Sequence, residues 1–330
     1  MIITLNDATT HAIAEELSTM REERGEAATD RVLTLLISCS EDDLEAALRA
    51  ANEASREHPC RVIALVPRNP DNKRAHLDAQ IRFGADSGAG EVIVLLPSGE
   101  LTKHLDTLAI PLMVSDTPAV AWWPGTPPPD PSRDAIGAMA SSRITDASQS
   151  PHPLRAFDAL RCHANANDVD LAWTRLTLWR GELASILDQP PHLPVLHCRV
   201  CGQKNDLSTL LMAAWLRYEL RVPVSISWND SGRGLTSVAL TRANGDILLT
   251  REANETSKGN ETARVPILHD QARLLLPAEK PQMMSLPCRS TADCLMEELA
   301  QLYPDDLYAS VIHSDFDFSG EGKKENAYER

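Results

Sequence analysis

Residues 31–66 read RVLTLLISCSEDDLEAALRAANEASREHPCRVIALV, and this stretch sets the fold class. RVLTLLIS (31–38) is a branched and leucine-rich run suited to a buried strand. Ser40, followed three residues later by Asp43, gives a capping-box-like helix start. Leu44, Ala47, Leu48, Ala51 and Ala54 then recur at helical spacing until His58-Pro59 ends the helix. RVIALV (61–66) supplies a second strand. A strand–helix–strand unit implies a parallel pair with a right-handed crossover, so this part of the chain is α/β.

Upstream, residues 1–30 form an N-terminal helical segment, with Ile13, Leu17 and Met20 as a thin apolar stripe over 7–24. Downstream, Leu77, Ala79, Ile81 and Phe83 alternate with polar residues, the period of a half-exposed strand. A glycine-rich turn (84–90) and EVIVLL (91–96) complete an antiparallel hairpin. A short helix with Leu101, Leu105 and Leu108 precedes the strand AVAWW (119–123). Six prolines between Pro118 and Pro131 impose a loop, since proline lacks the N–H a helix or central strand needs. After a short strand in SRITDAS (142–148), this first domain, 31–150, ends.

The second domain, 151–313, opens with a helix over 154–161. NDVDLAWTRLTLWRGELASIL (167–187) reads as one long helix, capped by Asp168 or Asp170. Trp179, Ala172, Leu183, Leu176, Leu187 and Trp173 share one arc of about 120°, the width of a core-facing stripe, and Arg180 lies inside it. A strand over 194–201 follows. Asp206 caps a helix with the stripe Leu207, Leu210, Leu211, Ala214, Trp215 and Tyr218. Val224, Ile226 and Trp228 point inward from the next strand. Asn244-Gly245 marks a hairpin, 252–263 a polar loop, and Ser290 the cap of a last helix through Leu302. Residues 314–330 are expected to be a disordered tail. The fold class is thus α/β: two domains with mixed, partly parallel sheets flanked by helices.

A net charge of −15 opposes binding to nucleic acid or to an anionic membrane, which needs a basic footprint. No run approaches the length of a membrane span and the N-terminus is no signal peptide. Seven scattered cysteines fit reduced thiols, and a cytoplasmic location is expected. The Cys-x-x-Cys of HCRVC (197–201) ends a strand, where positions i and i+3 face opposite ways, so neither a metal nor a redox site is expected. GADSGAG (84–90) lacks the lysine and serine or threonine of a phosphate loop. No catalytic residue, metal or cofactor is assigned.

The conspicuous residues are of another kind. Trp122 and Trp123 are adjacent on a strand, so they point to opposite faces and both cannot enter the same core. Arg180 on its apolar arc, with Arg175 and Trp179 beside it, reads as a packed network or an anchor, tryptophan and arginine being enriched at hot spots. These five residues are the partner-binding or interdomain candidates.

HPCRVI (58–63), DTPAVAWWPGTPP (116–128), RITDAS (143–148), DLAWTRLTLWR (170–180) and LLMAAWLRYEL (210–220) together resemble the OpcA family, the glucose-6-phosphate dehydrogenase assembly proteins. The likeness spans about residues 30–310 and is closest to the actinobacterial members. It implies a non-enzymatic protein that binds glucose-6-phosphate dehydrogenase, promotes its assembly and activation, and so supports the pentose phosphate pathway and NADPH supply. The alternative from the residues alone is a small-molecule binder for a sugar phosphate or nucleotide, or a degenerate α/β enzyme.

Overall fold

The computed structural model describes residues 2–24, 32–83, 91–229, 234–253 and 268–320. The chain divides into two compact units, and they interleave where the sequence predicts contiguous domains. Unit 1 is Met1–Pro151, Ala159–Leu171 and Ser290–Asp306; unit 2 is His152–Asp158, Ala172–Arg289 and Leu307–Arg330.

Unit 1 begins with β1 (Ile2–Leu5), unanticipated from sequence, and α1 (Thr10–Arg24). The expected strand–helix–strand follows as β2 (Leu33–Ser38), α2 (Leu44–Ala54) and β3 (Cys60–Leu65), with β2 and β3 parallel. β4 (His76–Arg82) and β5 (Glu91–Ser98) form the antiparallel pair; its 84–90 turn lies outside the described residues. Then come α3 (Leu105–Ala109), β6 (Ala119–Trp123), β7 (Ser142–Thr145), α4 (Pro153–Cys162) and β8 (Asp168–Asp170). All eight strands join one sheet, ordered β1-β4-β5-β3-β2-β6-β7-β8. From β5 to β8 every pairing is parallel.

Burial on both faces explains the near-continuous apolar runs of β2, β3, β5 and β6. On one face Ile13, Leu17 and Met20 of α1 pack with Leu36, Ile63, Ile93 and Trp123. A charged clamp ties three of these elements together. Glu91, 1% exposed, accepts from Arg21 at 2.5 and 2.7 Å and from Arg61 at 3.1 Å, while Arg61 also donates to the Leu112 carbonyl at 2.7 Å. The Glu91 carboxylate holds the Arg21 guanidinium above its ordinary range.

The expected long helix over 167–187 is broken into three pieces. Asp168–Asp170 is the edge strand β8, paired in parallel with β7. Asp168 is ion-paired with Arg143, and Asp170, fully buried, accepts from the Thr145 hydroxyl and the Ala147 N–H, each at 2.8 Å. The acids read as helix caps therefore clamp a sheet edge. Helix α5 (Leu171–Thr174) follows, then a tight turn from the Trp173 carbonyl to the Leu176 N–H, then α6 (Thr177–Leu187). Ile186, not Leu187, completes the buried stripe with Trp179 and Leu183.

Unit 2 continues through β9 (Val195–Gln203), α7 (Leu207–Leu220), β10 (Val224–Asn229), β11 (Leu235–Arg242), β12 (Gly245–Ala253), β13 (Leu268–Leu275) and β14 (Gln282–Ser285). Its sheet is ordered β10-β9-β11-β12-β13-β14, parallel only at β10–β9. Asp206 caps α7 by accepting from the Thr209 N–H at 2.7 Å, as expected. The helix is buried all round from Leu207 to Leu216, and Tyr218, expected inward, is 43% exposed in its last turn. The β11–β12 turn uses Ala243 and Asn244, and Gly245 opens β12 at φ +124°, a conformation that suits glycine. Most of the expected polar loop, from 254, lies outside the described residues. β13 and β14 were not anticipated.

Helix α8 (Thr291–Ala300), in unit 1, starts with the capping box of Ser290 and Asp293 and packs against α2. α9 (Asp306–Ile312), a further addition to the sequence reading, leads to Phe318, which is buried 5.4 Å from Phe157. Residues 314–320 are thus part of unit 2 rather than tail; 321–330 lie outside the described residues. Among the described residues no helix is long and apolar enough to cross a membrane.

Glu91→Ala removes the carboxylate that Arg21 and buried Arg61 share. It should lower stability by about 3–5 kcal/mol, the cost of removing one partner from a buried ion pair, measured by urea unfolding.

Candidate functional site

Ranked by chain position, the parallel strands of unit 1 run 3-2-1-4-5-6, the doubly wound order that places ligands where the order reverses, at the carboxyl ends of β2 and β6. A dinucleotide site there needs a glycine-rich turn and a bare helix N-terminus for the pyrophosphate. This chain has Cys39-Ser40-Glu41-Asp42-Asp43 instead. The Ser40 hydroxyl donates to Asp43 Oδ2 at 2.6 Å, and the Asp43 N–H donates to Ser40 Oγ at 3.2 Å. Across the crevice, buried Gly125 approaches so closely that a Cβ there would lie 2.7 Å from Asp43 Oδ2. The Asp43 carboxylate thus stands at the helix end where a doubly wound fold ordinarily receives a phosphate. Burial, with the charge of Asp43, pushes the Cys39 thiol up to about 12, so at neutral pH it is no nucleophile.

Of the sequence-predicted candidates, the three tryptophans are buried and the two arginines half-buried. Trp122 and Trp123 do point to opposite faces, yet both are core, at 0% and 3% exposure. Trp123 packs in the cluster with α1. Trp122 lies on the other face, beside Ala46 and Ala47 of α2 and Thr291 of α8, with an indole N–H that has no hydrogen-bond partner among the described residues. In unit 2 Trp179 is 1% exposed, and Arg251 rather than a residue of its own helix is seen over its ring, at 5.1 Å. Arg251 also donates to the Leu286 and Pro287 carbonyls at 3.1 and 3.3 Å. Arg180 is half-buried, with its guanidinium 3.7 Å from the centre of the Trp173 ring and 3.3 Å from Thr177 Oγ1. Arg175 is half-buried; burial pushes the Asp206 cap above the usual carboxylate range, against which its bonds from Thr209 and, to a lesser degree, the charge of Arg175 act. Arg180 with Trp173 and Arg251 with Trp179 form two cation–aromatic pairs.

The large accessible feature was not legible in those motifs. In unit 2's sheet one face is buried and the other is not: Val238, Leu240, Leu249, Ala272 and Leu274 are covered, whereas their neighbours along each strand are half-buried or exposed. Strand register lines the uncovered residues into rows. One row runs Ser227, Cys201, Ser237, Thr250, Arg273, Met283; the next runs Ser225, Arg199, Ala239, Leu248, Leu275. The Cys-x-x-Cys straddles the sheet as its spacing predicts. Cys198 faces the core, where burial pushes its thiol up to about 12, and Cys201 is on the open face, 3.4 Å from Asn229 Nδ2.

Residues 51–162 match the family described as glucose-6-phosphate dehydrogenase subunit N-terminal domain, and residues 166–312 match its C-terminal domain. The chain belongs to the OpcA family. A curated OpcA relative, a protein of Nostoc punctiforme assigned by name to the OxPP cycle, is 25% identical over 278 residues, covering 76% of this chain. The chain spans 57% of that relative's length. Among solved structures, KijD10, a 3-ketoreductase from Actinomadura kijaniata in complex with NADP, has 10% identity and a TM-score of 0.45 over 86% of this chain and 96% of its own. A mutant of KijD10 with TDP-benzene and NADP gives a TM-score of 0.47, again at 10% identity, over 86% and 94%. At that similarity neither match assigns an activity.

Trp122→Ala and Trp123→Ala should each cost about 3–5 kcal/mol, as aromatic truncation in cores does. Arg199→Ala, on the open sheet face, should change stability by less than about 0.5 kcal/mol. Thermal unfolding of the three variants checks both.

Proposed function

We propose that this chain is a non-catalytic partner of glucose-6-phosphate dehydrogenase, which it binds and brings into its active assembly, supporting the oxidative pentose phosphate pathway and NADPH supply. The match of both OpcA domains, over 51–162 and 166–312, carries this reading. The switch-point crevice supports the absence of catalysis: in a doubly wound sheet it is the place for a nucleotide, and here it presents Asp43 and a protonated thiol. Activation requires that the chain bind the active oligomer more tightly than the inactive form, since equal affinity for both shifts nothing.

Mixing the purified chain with the dehydrogenase of its source cell should yield a single heavier species on size exclusion and raise kcat/KM. Separate elution with unchanged kinetics would remove the proposal. Neither NADP nor glucose 6-phosphate should raise the melting temperature of the chain alone. A bound ligand at 100 times its Kd would add about 2.7 kcal/mol, so a clear shift would favour the small-molecule reading instead.

A further inference from the structure

We propose that the switch-point crevice of unit 1 holds a small uncharged polyhydroxy molecule, a free sugar or a polyol, between Trp122 and Asp43. This goes beyond the association reading and is independent of it. Asp43, Ala46 and Ala47 at the start of α2, Trp122 and Pro124 at the end of β6, and Gln149 and Thr291 line a cavity of about 180 Å³, all of them in unit 1. At about 30 Å³ per water in the liquid, that is room for about six waters or one molecule of similar bulk. It lies where a doubly wound sheet ordinarily receives its ligand.

The wall carries unused hydrogen-bonding groups. Trp122 is 0% exposed, and its indole N–H has no partner among the described residues. Buried donors are partnered as a rule, so this one calls for an acceptor that those residues do not supply. Asp43 Oδ2 accepts from Ser40 Oγ at 2.6 Å, which leaves Oδ1 with no hydrogen bond among the described residues. The side-chain amide of exposed Gln149 is likewise without one among them. Ala46, Ala47 and Pro124 add apolar surface, and an apolar wall with a few polar groups is the usual make-up of a small-molecule site.

These groups select the ligand. An indole N–H only donates and a carboxylate only accepts, so the ligand must supply both an acceptor and a donor. A hydroxyl supplies both. A phosphorylated compound would bring its charge against Asp43. A simple cation has no lone pair for Trp122 and meets the positive end of the α2 dipole. Water alone fits poorly, because a buried water makes about three hydrogen bonds and Ala46, Ala47 and Pro124 offer no side-chain partners. A sugar or polyol lays its C–H groups on that apolar wall and turns hydroxyls to Trp122, Asp43 and Gln149.

The test titrates the full chain with glucose and glycerol by saturation-transfer NMR, with glucose 6-phosphate as the charged control. At least one neutral probe should give transfer, and glucose 6-phosphate none. Ala46→Phe, from an exposed position on α2, fills the cavity and should abolish the transfer, with a melting temperature within about 2 °C of the parent chain. Trp122→Phe keeps an aromatic ring and removes the N–H, and should weaken binding of the neutral probe by about tenfold, the worth of one hydrogen bond. Asp43→Asn removes the charge; it should weaken the neutral probe likewise while letting glucose 6-phosphate bind. No transfer from either neutral probe to the parent chain means that the cavity holds water alone, and the proposal falls. It falls too if glucose 6-phosphate binds the parent as tightly as glucose, or if folded Ala46→Phe binds as the parent does. Should Ala46→Phe not fold, unchanged binding by Trp122→Phe and Asp43→Asn overturns it. None of these results bears on whether the chain binds the dehydrogenase, so the two readings fail separately.

Discussion

Strand β2 hydrogen-bonds in parallel on both sides, to β3 and to β6, and this central pairing constrains everything else in unit 1. Parallel neighbours cannot be joined by a tight turn, so the chain must leave the sheet and return, which lays α2 against it between β2 and β3. A strand buried on both faces must be apolar along its whole length, which is why the strands around it read as unbroken runs rather than alternations. The helices that bury those faces then need their own cover, and α8 supplies it for α2 from far along the chain.

That architecture brings a ligand crevice with it, and the chemistry placed there runs against the use such crevices ordinarily serve. Where a glycine-rich turn would open a helix end to phosphate, Ser40 and Asp43 form a mutual hydrogen-bonded pair, and Gly125 comes so close that a Cβ there would meet the Asp43 carboxylate.

Unit 2 divides the labour differently. Its predominantly antiparallel sheet buries one face and leaves the other to water, as such sheets can. Hydroxyl-bearing and alanine side chains keep the open face polar without making it rough. The two cation–aromatic pairs, Arg180 with Trp173 and Arg251 with Trp179, brace the core of the same unit. Buried tryptophan rings there provide rigidity, and accessible surface is provided by small residues.

The sequence by itself determined the parallel strand–helix–strand, the alternation of β4, the Asp206 and Ser290 caps and the opposite orientations of Cys198 and Cys201, because each follows from local periodicity or from a side chain reaching its own neighbouring backbone. The family markers, too, were legible as residues. Tertiary structure alone decided that 168–170 is a strand, since three residues carry no period and their conformation is set by Arg143 and Thr145 on the strand beside them and by Ala147 just past its end. It alone decided that Trp122 and Trp123 are both buried, because alternation fixes only that they diverge, while α1 on one side and α2 with α8 on the other fix what each meets. And it alone decided which face of unit 2's sheet stays open, because the pattern of a strand marks two sides and only the elements packed against the sheet determine which one is covered.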